Sequence, residues 1–266
     1  MTRPDRPLNF AHRGASYEAP ENTLAAFLLA AELGADGIEL DVQLSKDGQV
    51  VVLHDFVLET TTDGHGPVRD RTLADLKALD AGSWFDPAFA GQQIPTLQEV
   101  MEVVGRRLLL NIELKTRSLG DEGLAAAVVR LVEENGLLDR VILSSFNPLA
   151  VWRVRRLNPW IPVGLLYAPD LPLPLRRPWL RRLIRPEALH PHHTLVDDRY
   201  VRWAKRRGYR LHVWTVDDPG EMWRLVRQGV EAIITNRPDL LRQVQQAACR
   251  SDPAPGGEGR WFPRSG

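Results

Sequence analysis

Short apolar runs rich in β-branched residues alternate with longer stretches of helical periodicity almost from end to end of the chain. That is the pattern of a parallel sheet covered by helices. The runs that read as strands are Leu8–His12, Asp36–Leu44, Val50–His54, Leu108–Lys115, Val141–Ser145, Pro162–Tyr167, Ala188–His190, Arg210–Val216 and Ala232–Thr235. Helical patterns cover Thr23–Leu33, Leu97–Val104, Glu122–Glu134, Pro148–Arg156, Asp198–Arg207, Gly220–Arg227 and Asp239–Ala248. Asn22 reads as the N-cap of the first helix and Gly34 as its stop.

Nine runs are one too many for an eight-stranded barrel, and the second connection resolves the count. Only Ser45-Lys46-Asp47-Gly48-Gln49 separates the second run from the third, too little for a crossover between parallel strands. Asp-Gly between apolar runs signals a hairpin instead. The third run therefore folds back antiparallel and eight parallel strands remain. The expected fold is α/β: a (β/α)8 TIM barrel with a β-hairpin and a small inserted segment, about 56–95, after the second barrel strand. One catalytic barrel domain is expected over 1–250, with a disordered tail rich in Pro, Gly and charge at 251–266.

Composition changes this picture little. The 266 residues suit a single α/β barrel. Lysine plus arginine equals aspartate plus glutamate at 34 each, so no global field draws the chain to nucleic acid. The lone Cys249 cannot form an intramolecular disulfide. Residues 1–9 lack the apolar run of a signal peptide, and no stretch has the apolar length of a membrane span. A cytoplasmic protein is expected.

The chemistry begins at Gly37-Ile38-Glu39-Leu40-Asp41-Val42. Strand alternation points Glu39 and Asp41 the same way. In the next barrel strand Asn111, Glu113 and Lys115 share a face. Three carboxylates converging from two strands are costly to bury unless a cation joins them, and oxygen ligands suit a hard divalent one. The alternative is a buried network with Lys115 and an arginine, but inward acidic residues at barrel strand ends are usually catalytic. His12 ends the first strand. His54 ends the hairpin return, and a loop centred between Asp47 and Gly48 sets it opposite Asp41. Two imidazoles beside a metal site suit phosphodiester cleavage, one taking a proton and the other giving one. Arg13 and Lys115 add positive charge for phosphate. Trp214 reads equally as an aromatic wall or as core. His190, His192 and His193 read as rim or structural residues, and His65 and His212 as structural.

Several segments resemble the glycerophosphodiester phosphodiesterase family. They are Ala-His-Arg-Gly at 11–14, Pro-Glu-Asn-Thr at 20–23, Glu-Leu-Asp-Val at 39–42, Lys-Asp-Gly through His-Asp at 46–55 and Asn-Ile-Glu-Leu-Lys at 111–115. Ser-Ser-Phe at 144–146, Val-Trp-Thr-Val at 213–216 and Ile-Ile-Thr-Asn-Arg-Pro at 233–238 continue the series in the family's order. Asn236 stands where aspartate is commoner, a difference to which the sequence attaches no consequence. The resemblance implies His12 and His54 as the acid/base pair and Glu39, Asp41 and Glu113 as ligands of Mg2+ or Ca2+. It further implies phosphate contacts from Arg13 and Lys115, with Trp214 lining the substrate site. The implied reaction is metal-dependent hydrolysis of small-molecule glycerophosphodiesters to sn-glycerol 3-phosphate and an alcohol. Attack by water and attack by the substrate's own 2-hydroxyl both remain open.

Two rivals stand beside it. One is lysophospholipase D-like cleavage of lysophospholipids, kept open by a basic amphipathic rim helix at Leu173–Arg185 that could touch anionic lipid surfaces. A solvated helix with snorkelling arginines is the preferred reading of that segment. The other is a non-catalytic phosphodiester-binding barrel, against which the intact histidine pair and acidic set speak. The sequence does not address oligomeric state.

Overall fold

A computed structural model describes residues 6–251 apart from 117, 119 and 121. The tail expected over 251–266 lies outside the described residues from 252 onward. The strands are β1 (Leu8–His12), β2 (Gly37–Leu44), β3 (Val50–Val52), β4 (Leu109–Leu114), β5 (Val141–Ser145), β6 (Val163–Tyr167), β7 (Ala188–Pro191), β8 (Arg210–Val213) and β9 (Ala232–Thr235). The helices are α1 (Leu24–Glu32), α2 (Leu73–Lys77), α3 (Leu97–Val104), α4 (Leu124–Glu134), α5 (Pro148–Leu157), α6 (Arg181–Ile184), α7 (Asp198–Arg206), α8 (Pro219–Gln228) and α9 (Pro238–Ser251).

The sheet runs β1-β9-β8-β7-β6-β5-β4-β2-β3, and a further pairing of β1 with β2 closes eight parallel strands into a barrel. This is the expected TIM barrel, with β3 antiparallel on β2 and outside the closed ring. The strands alternate as a covered sheet must. Ile38, Leu40 and Val42 face outward into the main core, where Leu97, Val100, Met101 and Val104 of α3 meet them. Each such side chain fully withdrawn from water contributes about 1.5–3 kcal/mol.

The first helix corrects one expectation. Its N-cap is Thr23, whose Oγ1 accepts from Ala26 N at 3.2 Å and donates to the Pro20 carbonyl at 2.7 Å. Asn22 has another task, described below. Gly34 does sit just past the helix, at φ +81.

The hairpin corrects another. β2 and β3 pair Val42 with Val52 and Leu44 with Val50, so the loop is centred on Asp47 and Leu53, not His54, falls opposite Asp41. Leu53 N accordingly donates to the Asp41 carbonyl at 3.0 Å. The tighter turn forms because Gly48 takes φ +77 and Ser45 Oγ accepts from Gln49 N. β3 stops at Val52, where the chain bends away.

Residues 56–95 carry a 3-10 turn at Val68–Asp70, α2, and a second 3-10 turn at Pro87–Phe89. Leu58, Val68, Leu76, Ala81 and Ile94 pack there on Val51 and Leu53 as a small core of their own. Leu173–Arg185 is not one helix. A 3-10 turn at Leu173–Leu175 and the four-residue α6 replace it. Pro178 lies between the two, where its missing N–H and fixed φ interrupt a helix.

Candidate active site

Strand register assembles the site at the carboxyl ends of β1, β2 and β4. His12 pairs with Glu39 and Glu39 with Asn111, while Asp41 pairs with Glu113 two residues further on. Adjacent strands lie roughly 4.8 Å apart, so these inward side chains are lateral neighbours. One ligand atom from each of Glu39, Asp41 and Glu113 lies within 4.8 Å of the other two, and all three residues are buried. The spacing and the all-oxygen donor set fit a divalent cation.

The charges hold one another in place. Lys115 Nζ lies 3.2 Å from Glu113 Oε1 and 3.6 Å from Asp41 Oδ1. Arg13 Nε lies 3.4 Å from Asp41 Oδ2, while its Nη1 pairs with Glu21 at 2.9 Å. Burial alone would raise the Asp41 carboxyl, but Lys115 and then Arg13 outweigh it and hold it at about 2. Glu39 is pushed well above the usual carboxylate range, by burial first and then by Asp41 and Glu113. Glu113 is raised as well, by burial and Asp41 against the pull of Lys115. Burial and mutual repulsion thus favour protonation at Glu39 and Glu113, while Asp41 stays ionised.

Local backbone strain serves the same cluster. Arg13 and Asn22 take left-handed φ of 55 and 58, a conformation that costs of order 1–3 kcal/mol each outside glycine. Arg13 N thereby donates to Glu39 Oε2 at 3.2 Å. Asn22 Nδ2 donates to Asp41 Oδ2 at 3.1 Å, and its Oδ1 accepts from Asp41 N at 3.3 Å. Gly14 follows at φ +85, where a Cβ would stand 2.7 Å from that of Ala26. Asn22, expected as the helix cap, leaves that work to the neighbouring Thr23. Two good capping residues in succession are the signal that one of them is free for another role.

His12 is oriented from β9. Asn236 Nδ2 donates to Asp217 Oδ2 at 2.6 Å, which fixes the amide's orientation, so its Oδ1 faces His12 Nδ1 at 2.7 Å. Only a protonated Nδ1 can make that bond, which leaves the Nε2 lone pair free, 3.9 Å from Glu39 Oε2. Burial, and then Arg13, lower the His12 imidazole to about 4. Asn236 carries a role that local sequence does not reveal. Its place one residue past β9, beside β1, was the available clue.

His54 reaches the same mouth in spite of the shifted register. Gln43, on the same face of β2 as Glu39 and Asp41, donates from Nε2 to the Leu53 carbonyl at 2.9 Å and the Asp55 carbonyl at 2.7 Å. That clamp turns the chain inward at His54, whose Nδ1 meets Asp55 Oδ1 at 2.7 Å. His12, Arg13, Glu39, His54, Glu113 and Trp214 then line one cavity of about 150 Å³, together with Asn111, Phe146, Leu166 and Ile234. Asp41 and Lys115 lie beside it, joined to Glu113 and Arg13. Trp214 is held by its Nε1–H on the His190 carbonyl at 2.7 Å and by an edge contact with Phe146 at 5.4 Å.

The remaining histidines stand apart. His190 and His212 stack in the barrel interior, His192 meets the edge of Trp214, His193 pairs with Glu221 at 3.5 Å, and His65 is exposed.

Residues 12–240 match the glycerophosphoryl diester phosphodiesterase family. The chain belongs to that family. Membership makes it a phosphoric diester hydrolase. A glycerophosphodiester phosphodiesterase of Caldanaerobacter subterraneus subsp. tengcongensis is 44% identical over 89% of this chain and 96% of its own. One from Bacillus subtilis is 35% identical over 92% of this chain and 89% of its own. Among solved structures, an Oleispira antarctica phosphodiesterase in complex with the product sn-glycerol-3-phosphate is 36% identical, with a TM-score of 0.81 over 91% of this chain and 97% of that one.

Proposed function

We propose that this phosphodiesterase hydrolyses glycerophosphodiesters to sn-glycerol 3-phosphate and an alcohol. The observation that carries the reading is the convergence of His12, His54, Arg13, Glu39 and Glu113 on one small cavity, with the carboxylate of Asp41 grouped with those of Glu39 and Glu113 beside it. The product complex of the Oleispira phosphodiesterase supports the choice of substrate class.

In this reading Glu39, Asp41 and Glu113 would hold Mg2+ or Ca2+, and the ion, when bound, would supply positive charge for the phosphate. Arg13 and Lys115 extend that field, the first as a planar donor and the second as a point charge. Both are braced by carboxylates, so they remain where a phosphate would enter. His12 and His54 move protons, one taking from the attacking hydroxyl or water and the other giving to the leaving alkoxide. Because Asn236 holds the proton on Nδ1, His12 exchanges protons with substrate through Nε2. Asp55 does the equivalent for His54 through its own Nδ1 contact. Trp214 and Phe146 give the glycerol backbone an apolar wall.

The test is release of sn-glycerol 3-phosphate from glycerophosphocholine by purified protein, first with EDTA and then with Mg2+ or Ca2+ added. Release that is lost with chelator and restored by metal is the expected result. No release from any small diester with either metal would overturn the reading.

A further inference from the structure

Away from the cavity, the charge of this protein is unevenly spread. Basic and acidic residues balance at 34 each over the chain, yet positions 150–186 hold eight arginines and a single acidic residue, Asp170. Two arginines elsewhere show the contrast, Arg6 paired with Asp36 at 2.7 Å and Arg224 with Glu221 at 2.6 Å. Arg176, Arg177 and Arg182 are exposed, and among the described residues none of the three forms an ion pair.

Apolar side chains stand among them. Leu173, Trp179 and Leu183 are 72%, 63% and 67% exposed. The patch is anchored. Ile184 is buried beneath it, the Arg181 guanidinium lies 5.4 Å over the Trp203 ring, and Trp179 Nε1 donates to the Leu173 carbonyl at 3.4 Å. It is also close to the mouth. Asp170 acts electrostatically on His192, whose ring meets Trp214 at 5.3 Å, and Trp214 lines the cavity.

We propose that this face, Leu173–Leu183 with its unpaired arginines, docks the enzyme on an anionic lipid surface. Three features together favour lipid. Leucine and tryptophan tips stand out from the fold, as insertion at a headgroup boundary requires, and tryptophan is the residue that favours that boundary. The arginines beside them carry no internal counter-charge and are free for phosphate headgroups. The face adjoins the β-strand carboxyl ends, so docking brings the catalytic mouth to the membrane, where diester headgroups lie. That last consequence rests on the proposed function; the docking itself does not.

The experiment is co-sedimentation of the full chain with sucrose-loaded vesicles of phosphatidylcholine alone and of phosphatidylcholine mixed with phosphatidylglycerol. The protein is expected to sediment with the mixed vesicles, far less with the neutral ones, and less as salt is raised. Each basic side chain at an anionic leaflet is worth about fivefold in partitioning. The triple variant Arg176→Gln, Arg177→Gln, Arg182→Gln should therefore lose roughly a hundredfold. Leu173→Ser with Trp179→Ser and Leu183→Ser should also release the protein. Both variants should still hydrolyse glycerophosphocholine in solution, which shows that they fold and separates this test from that of the activity. Should the second variant not fold, Trp179→Ala alone takes its place. No sedimentation of the wild type with anionic vesicles overturns the proposal, as does sedimentation undiminished in every variant. Self-association that is split by the leucine and tryptophan changes, without vesicle binding, overturns it in favour of a second copy.

Discussion

Among the described residues, two groups of buried titratable side chains stand out in the barrel interior, and the chain treats them in opposite ways. At the mouth, Glu39, Asp41, Glu113, Lys115 and Arg13 are charged types meshed at 3.2–3.6 Å. One layer deeper, His190 of β7 and His212 of β8 stack at 4.7 Å, with Phe10 6.0 Å from the second ring. Neither ring nitrogen of His190 has a hydrogen-bond partner among the described residues. Both groups are buried, and burial disfavours charge in each. Asp41 is nonetheless held at about 2, hence ionised, because two cations face it. His190 is driven to about 3, hence neutral, by burial alone. Charge survives inside this barrel only where opposite charge is built in beside it. In the proposed function the mouth works on a charged ligand, whereas the deeper pair serves packing.

The largest way to break that comparison is to remove chemistry from the mouth while leaving its charges in place. His12→Ala or His54→Ala should each lower kcat by about a hundredfold or more. Metal-induced thermal stabilisation should persist in both, because the carboxylates are untouched. Steady-state kinetics beside melts with and without Mg2+ would check this. Near wild-type kcat in both variants would sink the acid/base assignment.

Next in size is the charge itself. Glu39 keeps its proton well above the usual carboxylate range in the metal-free cluster, so binding a cation should expel it. Calorimetric titration with Mg2+ or Ca2+ in two buffers of different ionisation enthalpy should show proton release near neutral pH. Glu39→Gln should abolish both that release and the rise in Tm on adding metal. Metal binding without proton release would mean that the cluster is already fully ionised.

A smaller effect is expected from the bond that orients His12. Asn236→Leu removes the acceptor of the Nδ1 proton and frees the ring to turn, which should lower kcat about ten- to a hundredfold with little change in KM. Asn236→Asp keeps an acceptor and should retain most of the activity. Equal losses in the two variants would show that packing, not the hydrogen bond, is what matters there.

These residues also show what was legible beforehand. Alternation along β2 and β4 places Glu39, Asp41 and Glu113 together from sequence alone, because the two-residue period of a strand is rigid. The barrel follows from nine runs and one short hairpin for the same reason. Legibility ended where side chains bond across sequence distance. Asn22 to Asp41, Gln43 to the His54 turn and Asp217 through Asn236 to His12 span loops whose paths no local pattern encodes. Turn geometry was the other limit. Ser45 and Gly48 shift the hairpin register by one residue, and the Gln43 clamp brings His54 back. The rim segment read as a helix because its arginines and leucines have helical spacing, but Pro178 prevents the chain from following it.

The smallest effect sharpens the contrast from the deeper side. A histidine whose folded pKa lies below its unfolded value is protonated more readily when unfolded. Its contribution to stability is therefore complete above the ordinary imidazole value of 6.5 and is lost as the pH falls toward about 3. One such proton changes the free energy of unfolding by about 1.4 kcal/mol per pH unit within that window. His190→Leu removes the titration but keeps an apolar side chain of similar bulk opposite Gly164, where a Cβ would collide with the imidazole. Melts at pH 7 and pH 5 should show little difference between variant and wild type at the higher value. The variant should lose less stability on acidification. His12 and the carboxylates titrate in both proteins and cancel from the comparison, whereas His212, stacked on His190 and lowered in part by it, belongs with His190 in the difference that remains. Parallel declines in the two proteins would mean that the buried His190 ring has a proton partner after all, and the division between a charged mouth and a neutral interior would no longer hold.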